Sequence, residues 1–335
     1  MMDKKRALSI LNKFPRGRIL VIGDIMLDEY VEGSIDRISP EAPIPVVNLF
    51  NKEADRRLGG AANVFNNLIS LGGNDVFLCG IVGDDANGTR IREGLHARGA
   101  ETGGIVIEPG RPTIVKTRII AHNQQVIRLD REDRSPISRS SRQKIVEYIK
   151  GKLGTIDAII ISDYEKGLIT EPLLREIISH AVKRHLLVAV DPKFSNFKYF
   201  KKVTIVVPNI KEARAFARHE IDTHEDVLAA ARYILKTLEC EYVLLKRGEH
   251  GMTLVDKKGH PVHIETAAVE VYDVTGAGDT VMSSLLLAKT AGATWEEAAR
   301  IANIAAGIVV SHRGTSTVDL DSLKRDIRNN RFSTL

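Results

Sequence analysis

Asp273-Val274-Thr275-Gly276-Ala277-Gly278-Asp279-Thr280, followed at once by the apolar run Val281 to Ala288, reads as a glycine-hinged loop opening a buried helix. Two glycines let backbone N–H groups approach an anion closely, and the positive end of the helix points at the same spot. A phosphate fits there. A carboxylate at such a place is repelled by phosphate unless it takes a proton from an attacking hydroxyl as the phosphoryl group arrives. Asp279 is therefore either that base or an ordinary helix cap, a position Asp often takes. Gly278 is expected to tolerate no side chain, because a Cβ would push the phosphate away or strain a glycine-only backbone.

Outward from this loop, strands alternate with helices. Arg18 to Gly23 is a β-branched apolar run ending at Asp24, the pattern of a buried parallel strand whose carboxyl end carries site residues. Asp28 follows four residues later, and the two acids serve a metal, a polyhydroxylated ligand or only the solvent. Leu58 to Asn63 opens an amphipathic helix through Gly59 and Gly60, glycines that suit close approach by a ligand or by another helix. Strands are then expected at 75–83, 158–162, 186–191, 204–207 and 242–246, with helices between them, which predicts an α/β fold on a mainly parallel sheet. Asp163 with Lys166, Asp191 with Lys193, Asn209 with Glu212, and Lys246 with Gly248 all fall just past strand ends, on the one rim where such a sheet binds ligands. Thr294 and Glu297 form a capping box for a helix from Trp295 to Val310.

Two segments break this rhythm. Residues 30–50 read as short strands interrupted by Pro40, Pro43 and Pro45, and residues 111–130 alternate in the manner of exposed strands. They predict a small β-sheet lid drawn from about 28–50 and 103–130, whose edges invite pairing with a second copy.

Composition narrows the class. The 335 residues are 43% hydrophobic, enough for a large core, and no uncharged apolar run is long enough to span a bilayer, so a cytoplasmic protein without membrane contact is expected. Cys79 and Cys240 sit in apolar strand-like runs and read as core rather than as zinc ligands. The 48 basic and 43 acidic residues give +5 without a concentrated basic run, which suits small anionic substrates better than nucleic acid. Neither Gly-x-x-x-x-Gly-Lys-Ser/Thr nor Gly-x-Gly-x-x-Gly occurs, so a nucleotide must bind by another device and a dehydrogenase is excluded.

Residues 273–280 resemble the C-terminal signature of the ribokinase (phosphofructokinase B) sugar kinases, and Gly59-Gly60-Ala61-Ala62-Asn63 resembles their N-terminal Gly-Gly-x-x-Asn motif, about 215 residues earlier. Pro208 to Glu212 looks like their Asn-x-x-Glu motif, and the likeness covers about residues 18–318. The resemblance implies a ribokinase-like three-layer α/β/α sandwich with a small β-sheet lid, using ATP, Mg²⁺ and a monovalent cation such as K⁺. Asp279 would be the base, with the N–H groups of Gly276, Ala277 and Gly278 holding the transferring phosphoryl. Asn209 and Glu212 would organise magnesium through water, and Lys193, Lys246, Gly248, Gly251 and Asn303 would face the nucleotide. The run Leu245-Lys246-Arg247-Gly248 departs from the hydroxyl that many members carry before this glycine.

Within the family, Arg37 to Pro43, Asn123 to Gln125 with Arg128 to Asp130, Ser162 to Tyr164 with Lys166 and Gly167, and Gly314 to Val318 look like members that phosphorylate a heptose 7-phosphate on O1. The sugar site would then comprise Asp24, Asp28, Gly59, Gly60, Asn63, Gln124, Arg128, Asp163 and Lys166. Arg37, Lys116, Arg118 and Arg128 form an unpaired cation cluster for the second phosphate, unless they are merely solvated. Many such kinases are fused to a nucleotidyltransferase domain. With its last residue at Leu335, the chain is expected to be a single kinase domain, either free-standing or the first part of such a protein. The alternatives are a relative acting on another sugar or sugar phosphate and a catalytically silent sugar-binding protein.

Overall fold

The computed structural model describes residues 2–268, 271–311 and 316–329. Helix α1 (Lys4–Leu11) leads to β1 (Arg18–Gly23), and the chain then leaves the main sheet to make β2 (Ile25–Ile38), β3 (Pro45–Leu49) and β4 (Asp55–Gly60). It returns through α2 (Ala61–Ser70), β5 (Asp75–Gly83), α3 (Ala86–His96) and β6 (Ile105–Glu108), and departs once more for β7 (Ile114–Ala121) and β8 (Gln124–Arg131). Next come α4 (Arg139–Lys152), β9 (Ala158–Ser162), α5 (Glu171–Lys183), β10 (Leu187–Asp191), β11 (Ile205–Val206), α6 (Ile210–Ala217), α7 (His224–Leu238) and β12 (Tyr242–Lys246). The hairpin β13 (Met252–Asp256) and β14 (Pro261–Ile264) precedes α8 (Ala277–Thr290), α9 (Trp295–Val309) and α10 (Leu320–Arg328).

Among the described residues, nine strands form one sheet in the order β14-β13-β12-β11-β10-β9-β1-β5-β6, parallel from β12 to β6 and closed at the other edge by the antiparallel hairpin. Alternation along β1 divides the core. Ile19 and Val21 point into a cluster with α2, α8 and α9, whereas Leu20 and Ile22 point into a second cluster with α4, α5 and α7. Helices thus cover both faces, the three-layer sandwich expected. Helix α8 is buried from Asp279 to Ala288, apolar enough to lie between the sheet, α2 and α9, and each of its leucines contributes roughly 1.5–3 kcal/mol by burial.

The lid is a five-stranded sheet, β3-β2-β7-β8 with β4 against β2. It differs from the expected boundaries. The first segment holds the end of the 14-residue β2 and the short β3, interrupted at Pro40 and Pro43 as expected, but β2 is one long strand that begins at Ile25, and Pro45 opens β3, where no ladder donor is required. Strand β4 was not anticipated, since its Asp-Arg-Arg start carries no apolar alternation. Residues 105–108, expected in the lid, pair with β5 in the main sheet. Of the string Gly314 to Val318, Gly314 and Thr315 lie outside the described residues. Cys79 and Cys240 are buried free thiols, as expected, and burial pushes both thiols up, Cys240 to about 12.

Candidate active site

The site begins at Gly276, which caps α8 with φ +83°, a left-handed backbone that a side chain would strain. The strained glycine is therefore Gly276, and the backbone strain expected at Gly278 is not found. Gly278 is helical, and among protein atoms an added Cβ would meet only the Lys246 ammonium, at 3.4 Å. Ala277 also departs from expectation, because its N–H donates to the Val274 carbonyl at 3.2 Å. The N–H groups of Gly278 and Asp279, in the first helical turn beyond it, have no acceptor within the helix.

Asp279 does not cap the helix. It is 5% exposed, and each carboxylate oxygen accepts one hydrogen bond, Oδ2 from Asn63 Nδ2 at 2.6 Å and Oδ1 from the Tyr164 hydroxyl at 2.7 Å. Asn63 is delivered by α2, which is tied to α8 through Thr280 Oγ1 donating to Asn67 Oδ1 and Ser283 Oγ donating to the Val64 carbonyl. Burial pushes the Asp279 carboxyl up to about 7, with the charge of Asp191 in support and Asn63, Tyr164 and Lys246 opposing. A carboxylate with its pKa near neutrality is matched to proton abstraction at physiological pH.

Cations flank the loop. Lys246, at the end of β12, pairs with Asp191 at 2.5 Å beside Gly278, and Lys193 pairs with Glu212. Glu212 and Asn209 form a reciprocal capping box at the start of α6, Glu212 Oε2 accepting from the Asn209 N–H at 2.8 Å. Each Glu212 oxygen is thus held by one protein donor. No cluster of three or more His, Cys, Asp or Glu side chains suited to a metal occurs among the described residues. Gly251 has φ +70° and lies so close to the Ile264 carbonyl that no Cβ fits, which fixes the β12–β13 corner, whereas Gly248 (φ +61°) faces open space. Asn303 of α9 donates to the Glu265 carbonyl at 2.7 Å, so its role in the structure is to tie α9 to the segment just after β14.

On the sugar side several expectations change. Asp24 is fully buried and its carboxylate accepts the N–H groups of Tyr164, Lys166 and Leu168, so it anchors a loop rather than facing a ligand. Asp163 is likewise buried on Asn196 Nδ2 and the Glu165 N–H, and burial lifts its carboxyl to about 7. The lid cations are paired, against the expected unpaired cluster: Arg118 with Asp28 at 2.6 Å, Lys116 with Asp130 at 2.8 Å, and Arg128 with Asp130 at 2.8 Å. Lys166 pairs with Glu132 at 2.8 Å. Arg37 and Gln124 are exposed, and Arg37, nine positions along β2 from Asp28, stands roughly 30 Å away along an extended strand. A Cβ at Gly59 would lie 2.4 Å from Asp28 Oδ2, so this glycine makes room for the Asp28 side chain, and Gly60, at φ +59°, turns the chain into α2. Between the lid and the anion loop lies a cavity of about 640 Å³ lined by Tyr30, Arg57, Arg118, Gln125, Tyr272 and Thr275. The sequence singles out Asp191 only by its place on the rim, Tyr164 only within the string Ser162 to Tyr164, and Arg57 not at all. Asp191 and Tyr164 had a signal in their place just past strand ends, whereas Arg57 had none.

The pfkB family carbohydrate kinase model matches residues 17–322. The chain belongs to that family. It is a carbohydrate kinase. Curated relatives include "Bifunctional protein HldE" of Geotalea uraniireducens, 44% identical over 95% of this chain, and that of Geobacter sulfurreducens, 42% identical over the same share. The chain spans 64% of the length of each. Among solved structures, phosphofructokinase-2 from Escherichia coli in complex with potassium superposes with a TM-score of 0.77 at 19% identity, covering 93% of this chain and 99% of that one. Arabidopsis thaliana ribokinase complexed with ribose and ATP gives 0.75 at 21% identity over the same shares. These likenesses show the ribokinase-like fold. No helix among the described residues is long and apolar enough to cross a membrane.

Proposed function

We propose that this pfkB kinase uses ATP to phosphorylate D-glycero-β-D-manno-heptose 7-phosphate on O1, giving the 1,7-bisphosphate required for ADP-heptose and the lipopolysaccharide core. The observation that carries the reading is where the strings resembling heptose 7-phosphate kinases fall: Asn123 to Asp130 on the lid over the cavity, and Ser162 to Gly167 against the base. Asp279 takes the proton of the anomeric hydroxyl, while the first-turn N–H groups of α8 and the Lys246 ammonium stabilise charge on the transferring phosphoryl. Asp28, Gly59 and Asn63 bound the sugar from β2, β4 and α2. The 7-phosphate competes with Asp28 and Asp130 for Arg118 and Lys116, since these cations are already paired.

Mg²⁺ fits the acidic positions Glu212 and Asp191 through water, and when bound it neutralises phosphate charge. A monovalent cation such as K⁺ belongs to the same reading and is tested by activity with and without it. The lid pairs with that of a second copy: by alternation its outer face presents Leu49, Ile127 and Leu129, each at least half exposed.

Coupled ADP release with matched sugars tests the substrate. The phosphorylated heptose should exceed the neutral heptose by at least about 10²-fold in kcat/KM, the value of a lost charge-assisted contact. Equal efficiency on the neutral sugar, or preference for ribose or a fructose phosphate, overturns the assignment and leaves the kinase intact.

A further inference from the structure

We propose that Tyr164 is a positioning residue for the phosphoryl transfer, its hydroxyl fixing the orientation and basicity of Asp279, and that buried Asp24 holds Tyr164 in place for this purpose. The inference rests on Asp279 being the base.

The geometry forms a chain of contacts across three strand ends. Asp24, directly after β1, accepts the backbone N–H groups of Tyr164, Lys166 and Leu168 at 2.9, 3.2 and 3.3 Å, gathering the loop after β9 around one carboxylate. That loop is tight. Glu165 has φ +57°, unusual for a residue with a side chain, and Gly167, at φ +90°, lies so close to the Ser135 carbonyl that no Cβ fits. Held in this way, the Tyr164 side chain crosses to α8 and donates to Asp279 Oδ1 at 2.7 Å, while Lys193 lies 5.8 Å from its ring centroid.

Two donors, one on each oxygen, fix the plane of the Asp279 carboxylate, and each oxygen keeps a lone pair for a substrate hydroxyl. Tyr164 serves as a permanent donor, because burial and the adjacent carboxylates of Asp279, Asp191 and Asp28 hold its phenol far above the ordinary value. The groups that face Asp279 are Asn63 from α2, Tyr164 from the loop after β9, Asp191 from β10 and Lys246 from β12. Of these, Asn63, Tyr164 and Lys246 favour the carboxylate. Deleting the Tyr164 hydroxyl therefore makes Asp279 harder to ionise, and the acid limb of activity moves to higher pH.

The test is Tyr164→Phe, which keeps the ring and its packing, assayed by ADP release from pH 5.5 to 9 beside wild type and Asp279→Asn. At pH 7, kcat should fall about 10-fold, the acid-limb midpoint of kcat/KM should rise by at least about half a pH unit, and both KM values should stay within about twofold. Asp24→Asn should shift the limb in the same direction, since it frees the loop that carries the hydroxyl. A Tyr164→Phe profile that superposes on wild type, or a loss equal at every pH with an unmoved midpoint, overturns the inference. If Asp279→Asn is inactive and Tyr164→Phe behaves as wild type, only the role of Tyr164 falls. If Asp279→Asn keeps wild-type rates, the base assignment falls with it.

Discussion

Three buried carboxylates of the rim and those of the lid above it handle charge in opposite ways, although Asp191 and Glu212, also on the rim, are ion-paired. At the rim, Asp24, Asp163 and Asp279 are buried on hydrogen-bond donors without a direct ion pair, and burial drives the carboxyls of all three upward. On the lid, Asp28, Asp130 and Glu132 each meet a cation directly, and the last two stay below the ordinary carboxylate range despite burial, held there by Lys116, Arg128, Lys166 and Arg134. Desolvation with neutral donors makes a base, whereas ion pairing makes a reservoir of cations that an incoming phosphate can recruit. On the proposed reading, the rim carries the chemistry and the lid the recognition.

Breaking the rim has the largest expected effect. Asp279→Asn should lower kcat by at least about 10²-fold, the low end for loss of a general base, with ATP affinity by calorimetry little changed. The same variant should melt higher than wild type at pH 8, with the gap closing toward pH 4. The native carboxyl, raised to about 7, keeps its proton where the unfolded one loses it, so wild-type stability falls as pH rises between the unfolded and folded values. A variant that turns over normally would move the chemistry elsewhere.

Breaking the lid pairing should act on binding. Arg118→Ala is expected to raise the sugar KM about 10-fold, leave kcat within about threefold, and lower stability by roughly 2–3 kcal/mol because Asp28 stays buried without its partner. A loss confined to kcat would erase the division between the regions. The smallest effect is expected at Arg37→Ala, where both kinetic constants should stay within about twofold, since this side chain is exposed at the far end of β2. A larger change, lost on dilution, would indicate that the lid tip serves a site in a second copy.

What the sequence by itself determined lies within short windows. The Gly-Ala-Gly-Asp loop and its buried helix, the strand ending at Asp24, and the capping box of Thr294 and Glu297 each follow from periodicity or capping chemistry over about ten residues, and the structure has them in place. The parallel sheet and its functional rim followed from their alternation. Tertiary structure alone decided the partners. Asp24 read as a sugar ligand until the loop from Tyr164 to Leu168 closed over it, and the lid cations read as unpaired until strand register set Arg118 beside Asp28, 90 positions away. The backbone strain expected at Gly278 falls instead at Gly276, because a backbone angle, not residue type, determines where a left-handed conformation lies. Whether an ionisable group is a base, an anchor or half of an ion pair depends on its desolvation and on which charge lies within a few ångströms, and both are set by contacts between segments far apart in the chain.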